Sequence, residues 1–161
     1  MQISPCPIAL PLGKLSALAG VKFIAVHCSA TRPTAIMGVR EIHRMHVDRG
    51  FACVGYHYVI KRDGTIERGR PEDKIGAHVE GHNRDSLGIC LIGGIDADGK
   101  AKNNFTQDQF TSPQLTAKQC FMAFRLKQWF NSPLPPIISL SGVRTPSPAL
   151  PIPEKTAIVF Q

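Results

Sequence analysis

One apolar segment, SLGICLI at residues 86–92, constrains the fold more than any other part of this sequence. The segment has the length of a strand and contains no charged side chain. A strand with one solvated face alternates apolar and polar residues, whereas a strand buried on both faces reads as a continuous apolar run. We therefore predict a central strand, with other parts of the chain packed on both sides of it.

The remaining elements are predicted from β-branched runs, helical periodicity and turn residues. Asp-Gly favours a tight hairpin turn because it tolerates the positive φ of type I′, and glycine commonly ends a helix. The predicted elements are a strand at Val21–His27, a helix at Val39–Asp48 ended by Gly50, a strand at Gly55–Lys61, a type I′ turn at Arg62–Thr65, a strand at Thr65–Arg68, a helix at Pro113–Asn131 and a short strand at Ile137–Leu140.

The length of 161 residues suits one domain with one core. We divide the chain into a loose N-terminal extension at 1–20, a main domain at 21–145 and a divergent tail at 146–161. Seven of the 13 prolines lie after Asn131, and proline cannot donate to a sheet or continue a helix. The tail is therefore predicted to be mobile from Pro146 onward.

The composition limits the possible partners and compartments. Apolar residues make up 43% and charged residues 19%, which indicates a globular chain. The net charge of +7 favours anionic partners such as cell-wall polymers, nucleic acid or an acidic protein, although it also serves general solubility. The five cysteines are odd in number and show no CxxC spacing, which indicates reduced thiols in the cytoplasm. No apolar run is long enough to cross a bilayer, and residues 1–20 are a poor match to a signal peptide.

Several histidines are candidates for chemistry. His27 ends the first predicted strand, where its imidazole could bind a metal or carry a proton, although a histidine at a strand end is more often a hydrogen-bonded structural residue. His43 and His46 are three residues apart on a helix, and we expect a solvated or half-buried pair. Tyr56 and His57 are adjacent on a predicted strand and should face opposite sides. His78 lies in the glycine-flanked loop GAHVEG, a plausible substrate-contacting loop.

Taken together, the order and spacing of these segments resemble the phage-type N-acetylmuramoyl-L-alanine amidases, zinc enzymes related to animal peptidoglycan-recognition proteins. The resemblance runs from about Val21 to Thr111, more than half of the chain. It is carried by VHCSAT (26–31), GVREIH (38–43), VGYHYVIKRDGTIERGR (54–70), GAHVEGHN (76–83), SLGICLIGGID (86–96) and NFT (104–106). The resemblance implies an α/β fold, a single domain with a mixed central β-sheet flanked by helices.

The resemblance also implies a function and a set of site residues. The family hydrolyses the amide between N-acetylmuramic acid and L-alanine in peptidoglycan, using zinc with three protein ligands and a water. In this sequence His27 falls on the first ligand position, and Tyr56 and Lys155 fall on catalytic positions. His78 and Asn83 fall on substrate-binding positions.

The other two zinc ligand positions hold residues that cannot bind a metal. The family's second ligand aligns with Val143 and its third with Ala157, and neither side chain has a donor atom. No histidine follows His82 and no cysteine follows Cys120. The sequence therefore predicts a zinc site with one of its three usual ligands.

Three interpretations of this ligand loss remain open. The gene could be frame-damaged, with an insertion or deletion between the codons for Thr111 and Pro153. The chain could be a non-catalytic module that binds peptidoglycan. It could also bind a phage RNA polymerase, as coliphage relatives do. As an endolysin it would be a monomer that stays in the cytoplasm until lysis and then acts on the cell wall.

Overall fold

The computed structural model describes residues 3–111 and the backbone of residues 158–160. Within these ranges the chain forms six strands and two α-helices. They are β1 (Ile3–Ser4), β2 (Phe23–Cys28), α1 (Val39–Asp48), β3 (Tyr58–Ile60), β4 (Ile66–Arg68), β5 (Ser86–Leu91), α2 (Gln107–Thr111) and β6 (Ile158–Phe160), with a short 3₁₀ helix at Leu12–Lys14. Neither α-helix in this part of the chain is long and apolar enough to cross a bilayer.

The strands form one mixed sheet in the order β1-β4-β3-β5-β2-β6. Strands β3 and β4 are antiparallel, and every other pairing is parallel. Strand β5 lies between β3 and β2, and all six of its residues are buried. The prediction of a central strand from SLGICLI is therefore confirmed.

Each face of the sheet carries its own apolar layer. One layer contains Val26, Tyr58, Ile60, Ile66, Leu87, Ile89 and Leu91, and it packs against Phe105 and Phe110. The other contains Val39 and Ile42 of α1 together with Val54, Val59, Cys90 and Ile92. Because consecutive residues of β5 contribute to opposite layers, this strand has no polar face, as its sequence predicts.

Helix α1 has the predicted bounds, and two carboxylates stabilise its start. The side chain of Glu41 accepts a hydrogen bond from the amide of Gly38 at 2.9 Å, and Glu67 of β4 accepts one from the amide of Val39 at 2.7 Å. Negative charge at this end also interacts favourably with the positive end of the helix dipole. Gly50 follows the helix with a φ of +87°, a conformation that glycine adopts without steric cost.

The turn between β3 and β4 is not the predicted type I′. The amide of Gly64 donates to the carbonyl of Lys61 at 2.9 Å, so Arg62 and Asp63 are the central residues. Gly64 has a φ of +77°, whereas Arg62 and Asp63 keep negative φ, which is a type I turn followed by a left-handed glycine. The carboxylate of Asp63 accepts the amide of Thr65 at 2.9 Å, and this local bond favours the observed turn.

The N-terminal extension is not loose, contrary to the prediction. Strand β1 adds to the sheet beside β4. The amide of Leu18 donates to Asp73 at 2.7 Å, and the carbonyl of Ser16 accepts from Ile75 at 2.9 Å. The extension is therefore part of the fold.

The C-terminal predictions are tested only at three residues. Strand β6 pairs in parallel with Ile24–Val26 of β2, whereas the whole tail from Pro146 onward was expected to be mobile. The predicted helix at 113–131 and strand at 137–140 lie outside the described residues. Helix α2 was not predicted.

Candidate active site

Three of the residues predicted to act in the site come together above the middle of the sheet. His27 is in β2, Tyr56 lies two residues before β3 and His78 lies in the loop before β5. The ring of His78 lies over Gly88 of β5, where a Cβ atom would be 2.4 Å from two ring carbons. The absence of a side chain at Gly88 therefore makes the space that the imidazole occupies.

The three rings contact one another directly. Nε2 of His27 is 3.2 Å from Nδ1 of His78, a hydrogen bond between the two imidazoles. The ring of Tyr56 is centred 5.2 Å from that of His27 and 6.3 Å from that of His78. A donor–acceptor pair and a phenol thus share one partly enclosed site.

All three groups are uncharged at neutral pH. Burial lowers the pKa of His27 to about 4. Burial, with repulsion from His27 and His57, lowers the pKa of His78 to about 3. Burial raises the pKa of Tyr56, and the thiol of Cys90, its hydrogen-bonding partner, adds to the effect. The site therefore offers neutral hydrogen-bonding groups in a low-dielectric environment, where polar contacts are stronger than in water.

His57 also belongs to the site, which the sequence did not predict. Its ring is centred 5.6 Å from that of His78, so Tyr56 and His57 do not face opposite sides as expected. Regular strand geometry begins only at Tyr58, and the ring of His57 contacts the carbonyl of Lys74 through Nε2 at 2.9 Å. Its Nδ1 accepts the amide of Gly88 at 2.9 Å, in the place of a backbone carbonyl. A sequence pattern that assumes regular alternation cannot detect this geometry.

His43 and His46 bind the main chain and leave no free pair for chelation. Nδ1 of His43 accepts the amide of Val54 at 3.2 Å, and Nδ1 of His46 accepts the amide of Gly55 at 2.9 Å. His43 is half-buried as expected, but His46 is only 7% exposed. Both residues hold the segment that leads into Tyr56.

Asn83 supports the loop that carries His78. Its side-chain oxygen accepts hydrogen bonds from the amides of His78 at 2.8 Å and Val79 at 3.0 Å. This geometry makes Asn83 a support for His78. Lys155, predicted to be catalytic, lies outside the described residues.

Gly93 and Gly94 accommodate neighbouring side chains of the protein itself. Their φ values are +134° and +106°, and added Cβ atoms would approach Asn104 at 2.8 Å and Cys28 at 2.6 Å respectively. The missing side chains of these two glycines therefore leave space for Asn104 and Cys28.

The residues present do not fit a three-ligand zinc site. Within residues 3–111 no group of three histidine, cysteine, aspartate or glutamate side chains could hold a metal. One nitrogen of His27 is already hydrogen-bonded to His78. After Thr111 the sequence contains one cysteine, Cys120, one glutamate, Glu154, and neither histidine nor aspartate. Within residues 3–111 the usual set of two histidines with a cysteine or aspartate is therefore not assembled, and the sequence after Thr111 adds no histidine.

Comparison with known sequences places the chain among the N-acetylmuramoyl-L-alanine amidases. The family model for N-acetylmuramoyl-L-alanine amidase matches residues 17–148. The endolysin of Klebsiella phage KP32 is 55% identical over 86 residues, which is 53% of this chain and 57% of the relative. The endolysin of Escherichia phage T7 is 54% identical over 89 residues, which is 55% of this chain and 59% of the relative. The matched part thus spans less than three fifths of the length of these phage relatives.

Solved structures agree with this assignment. The amidase LysC from Clostridium intestinale URNW is 30% identical with a TM-score of 0.59, over 70% of this chain and 69% of that one. The endolysin amidase LysCS from the same organism is 27% identical with a TM-score of 0.60, over 81% and 74% respectively. The predicted α/β fold, a mixed sheet with helices, is confirmed. Because the family model matches most of the chain and the fold agrees, this protein belongs to the N-acetylmuramoyl-L-alanine amidase family.

Proposed function

We propose that this protein acts on peptidoglycan as a phage-type endolysin, hydrolysing the amide between N-acetylmuramic acid and L-alanine. The observation that carries the proposal is the uncharged cluster of His27, Tyr56 and His78 in a member of the amidase family. Membership of the amidase family indicates which bond would be cleaved, and the cluster provides groups suited to bind the amide.

Tyr56 is the residue best suited to act on the amide. Its hydroxyl stays protonated because burial raises its pKa, so it is a donor at neutral pH. A donor fixed in a low-dielectric site stabilises the negative charge that develops on an amide carbonyl oxygen during attack. His78 and His27, also neutral, would bind and orient polar groups of the stem peptide.

A second function, binding without cleavage, is favoured by the ligand count. Val143 and Ala157 carry no metal-binding atoms, and a single histidine does not form a catalytic zinc site. Tyr56, His78 and Asn83, which are predicted to contact the substrate, lie at positions separate from these two. A chain of this sequence would then recognise the muropeptide and leave the amide intact.

One experiment separates the two functions. Purified peptidoglycan is incubated with the protein, with added zinc in one arm and a chelator in the other, and free L-alanine amino termini are measured. Co-sedimentation of the protein with peptidoglycan is measured in parallel. Release of amino termini supports hydrolysis, and its sensitivity to the chelator shows whether a metal is required. Binding without release supports the non-catalytic module, and the absence of both refutes the proposal.

The two tyrosines of the chain provide a matched pair of variants. Tyr56→Phe should lower amide release by roughly 10²–10³-fold, the effect of losing one oxyanion donor. Tyr58→Phe is the control, because Tyr58 is buried in the apolar layer on the opposite face of the sheet. Equal losses in both variants would argue against a role for Tyr56 in hydrolysis.

Frame damage is the alternative explanation for the missing ligands. It requires an insertion or deletion between the codons for Thr111 and Pro153. Resequencing of the gene tests it, and one intact frame would eliminate it.

The remaining proposals concern partners and location. A phage RNA polymerase is a possible second partner, which a pull-down at micromolar concentrations would test. We expect a monomer that remains in the cytoplasm until lysis and then reaches the cell wall. Sedimentation of the purified protein and fractionation of infected cells would test these two expectations.

A further inference from the structure

The main chain leading into Tyr56 is held by two imidazoles of one helix. The amides of Val54 and Gly55 are consecutive donors, and their acceptors are Nδ1 of His43 and Nδ1 of His46. The two histidines are three residues apart on α1, so they lie on the same side of the helix, one turn apart. Helix α1 thus provides two acceptors in register with two successive amides.

The carbonyl groups of the same segment are also satisfied, from the other side. Nε of Arg70 donates to the carbonyl of Val54 at 2.7 Å, and the amide of Arg70 donates to the carbonyl of Tyr56 at 2.9 Å. The amide of Ala77 donates to the carbonyl of Gly55 at 2.9 Å. Residues 54–56 are therefore anchored along their length without belonging to a strand.

The contact at Gly55 has the most direct effect on Tyr56. Gly55 precedes Tyr56 and is buried, and an added Cβ would lie 2.0 Å from the carbonyl oxygen of Ala77. The ring of His46 is also centred 5.3 Å from the ring of Tyr56. Without the imidazole acceptor, the buried amide of Gly55 would lack a partner, and the segment would have to move to satisfy it.

We propose that His46, assisted by His43, is a positioning residue that fixes the Tyr56 phenol against His27 and His78. This proposal depends on the proposed function in one respect, namely that Tyr56 is the residue that contacts the substrate. His43 and His46 themselves make no contact with the His27–His78 pair in the described structure, so they would act on Tyr56 through the main chain. Because Nδ1 must accept, the task requires the neutral imidazole with its proton on Nε2.

The test uses two substitutions of the same shape. His46→Asn keeps an acceptor oxygen near the position of Nδ1, whereas His46→Leu has the same branching at Cγ and no acceptor. Neither retains the aromatic ring, so ring-current effects are equal in the two variants. The protein is labelled with 3-fluorotyrosine, and because the chain has two tyrosines, it gives two ¹⁹F resonances.

The expected result is a difference between the two variants at Tyr56 alone. His46→Asn should show one sharp Tyr56 resonance, and His46→Leu a shifted or exchange-broadened one. The Tyr58 resonance should be unchanged in both, which also reports that the fold is intact. Coincident Tyr56 signals in the two folded variants would overturn the proposal, as would equal changes at Tyr56 and Tyr58.

A functional measurement separates failure of this proposal from failure of the proposed function. His46→Leu should lower kcat for amide release about tenfold or more with little change in KM, and His46→Asn should recover most of the loss. If the wild-type protein binds without cleaving, the dissociation constant for a soluble muropeptide replaces kcat. His82→Asn is the control, because His82 is on the surface and its imidazole pairs with Asp85 at 3.6 Å. The ¹⁹F result stands whether or not the protein hydrolyses the amide.

Discussion

Replacing Gly88 with alanine should displace His78 from the site. The new methyl carbon would lie 2.4 Å from Cγ and Cδ2 of His78 and 2.8 Å from its Nδ1, whereas ordinary contacts begin near 3.4 Å. The imidazole must therefore retreat by about 1 Å, and its hydrogen bond to His27 would be lost. Adding a methyl group to a packed site costs about 1–3 kcal/mol in the free energy of unfolding. For a chain of this size that lowers Tm by on the order of 5 °C.

The assay is urea denaturation of Gly88→Ala, His78→Ala and the double variant. If the cost of Gly88→Ala is the clash with His78, the double variant should be more stable than the sum of the two single effects predicts. Gly20→Ala is the control, because no atom lies within 4 Å of the added carbon. Additive effects in the double variant would refute the reasoning, as would an unchanged urea midpoint for Gly88→Ala.

Three further predictions concern the groups around the site. Burial lowers the pKa of His46 to about 4 in the folded protein. As the pH falls, His46 is therefore protonated near pH 6.5 in the unfolded chain but only near pH 4 in the folded protein. The free energy of unfolding should therefore fall as the pH falls from about 6.5 to about 4, and urea midpoints for His46→Asn should show a shallower decline. Asn83→Ala should speed hydrogen exchange at the amides of His78 and Val79, because both lose their acceptor; unchanged exchange would contradict the assigned support. Glu67→Gln should cost about 0.5–1 kcal/mol, measured by thermal unfolding, because it weakens the cap on the Val39 amide and removes the ion pair with Lys61 at 3.6 Å. The cost should shrink at high salt, and an unchanged Tm would contradict the stabilising role of this carboxylate.

Much of the fold could be predicted because local patterns and packing agree. Residues 86–91 form a central strand because their apolar side chains have a layer to enter on each face. Helix α1 follows its apolar periodicity, and its end follows from Gly50. These features depend on nearby residues, which a sequence displays directly.

The missed features depend on partners distant in the sequence. His57 joins the site because the amide of Gly88, 31 residues away, donates to its Nδ1. The N-terminal extension is ordered by its pairing with β4, and β6 by its pairing with β2. Resemblance to the family predicts site roles for His27, Tyr56 and His78, which lie together in the structure. It could not show that the side chains of Asn83 and His46 accept hydrogen bonds from main-chain amides.

The order of the strands has a consequence for how the chain folds. Among the described strands, the β3–β4 hairpin is the one pairing between neighbours in the sequence. Phe23 of β2 pairs with Ser86 of β5 and Ile3 of β1 with Ile66 of β4, each across 63 residues. Ile24 pairs with Ile158 of β6 across 134 residues. Because closing long loops costs entropy before any contact repays it, we expect a slow folder in which the hairpin forms first and the two outer strands join last.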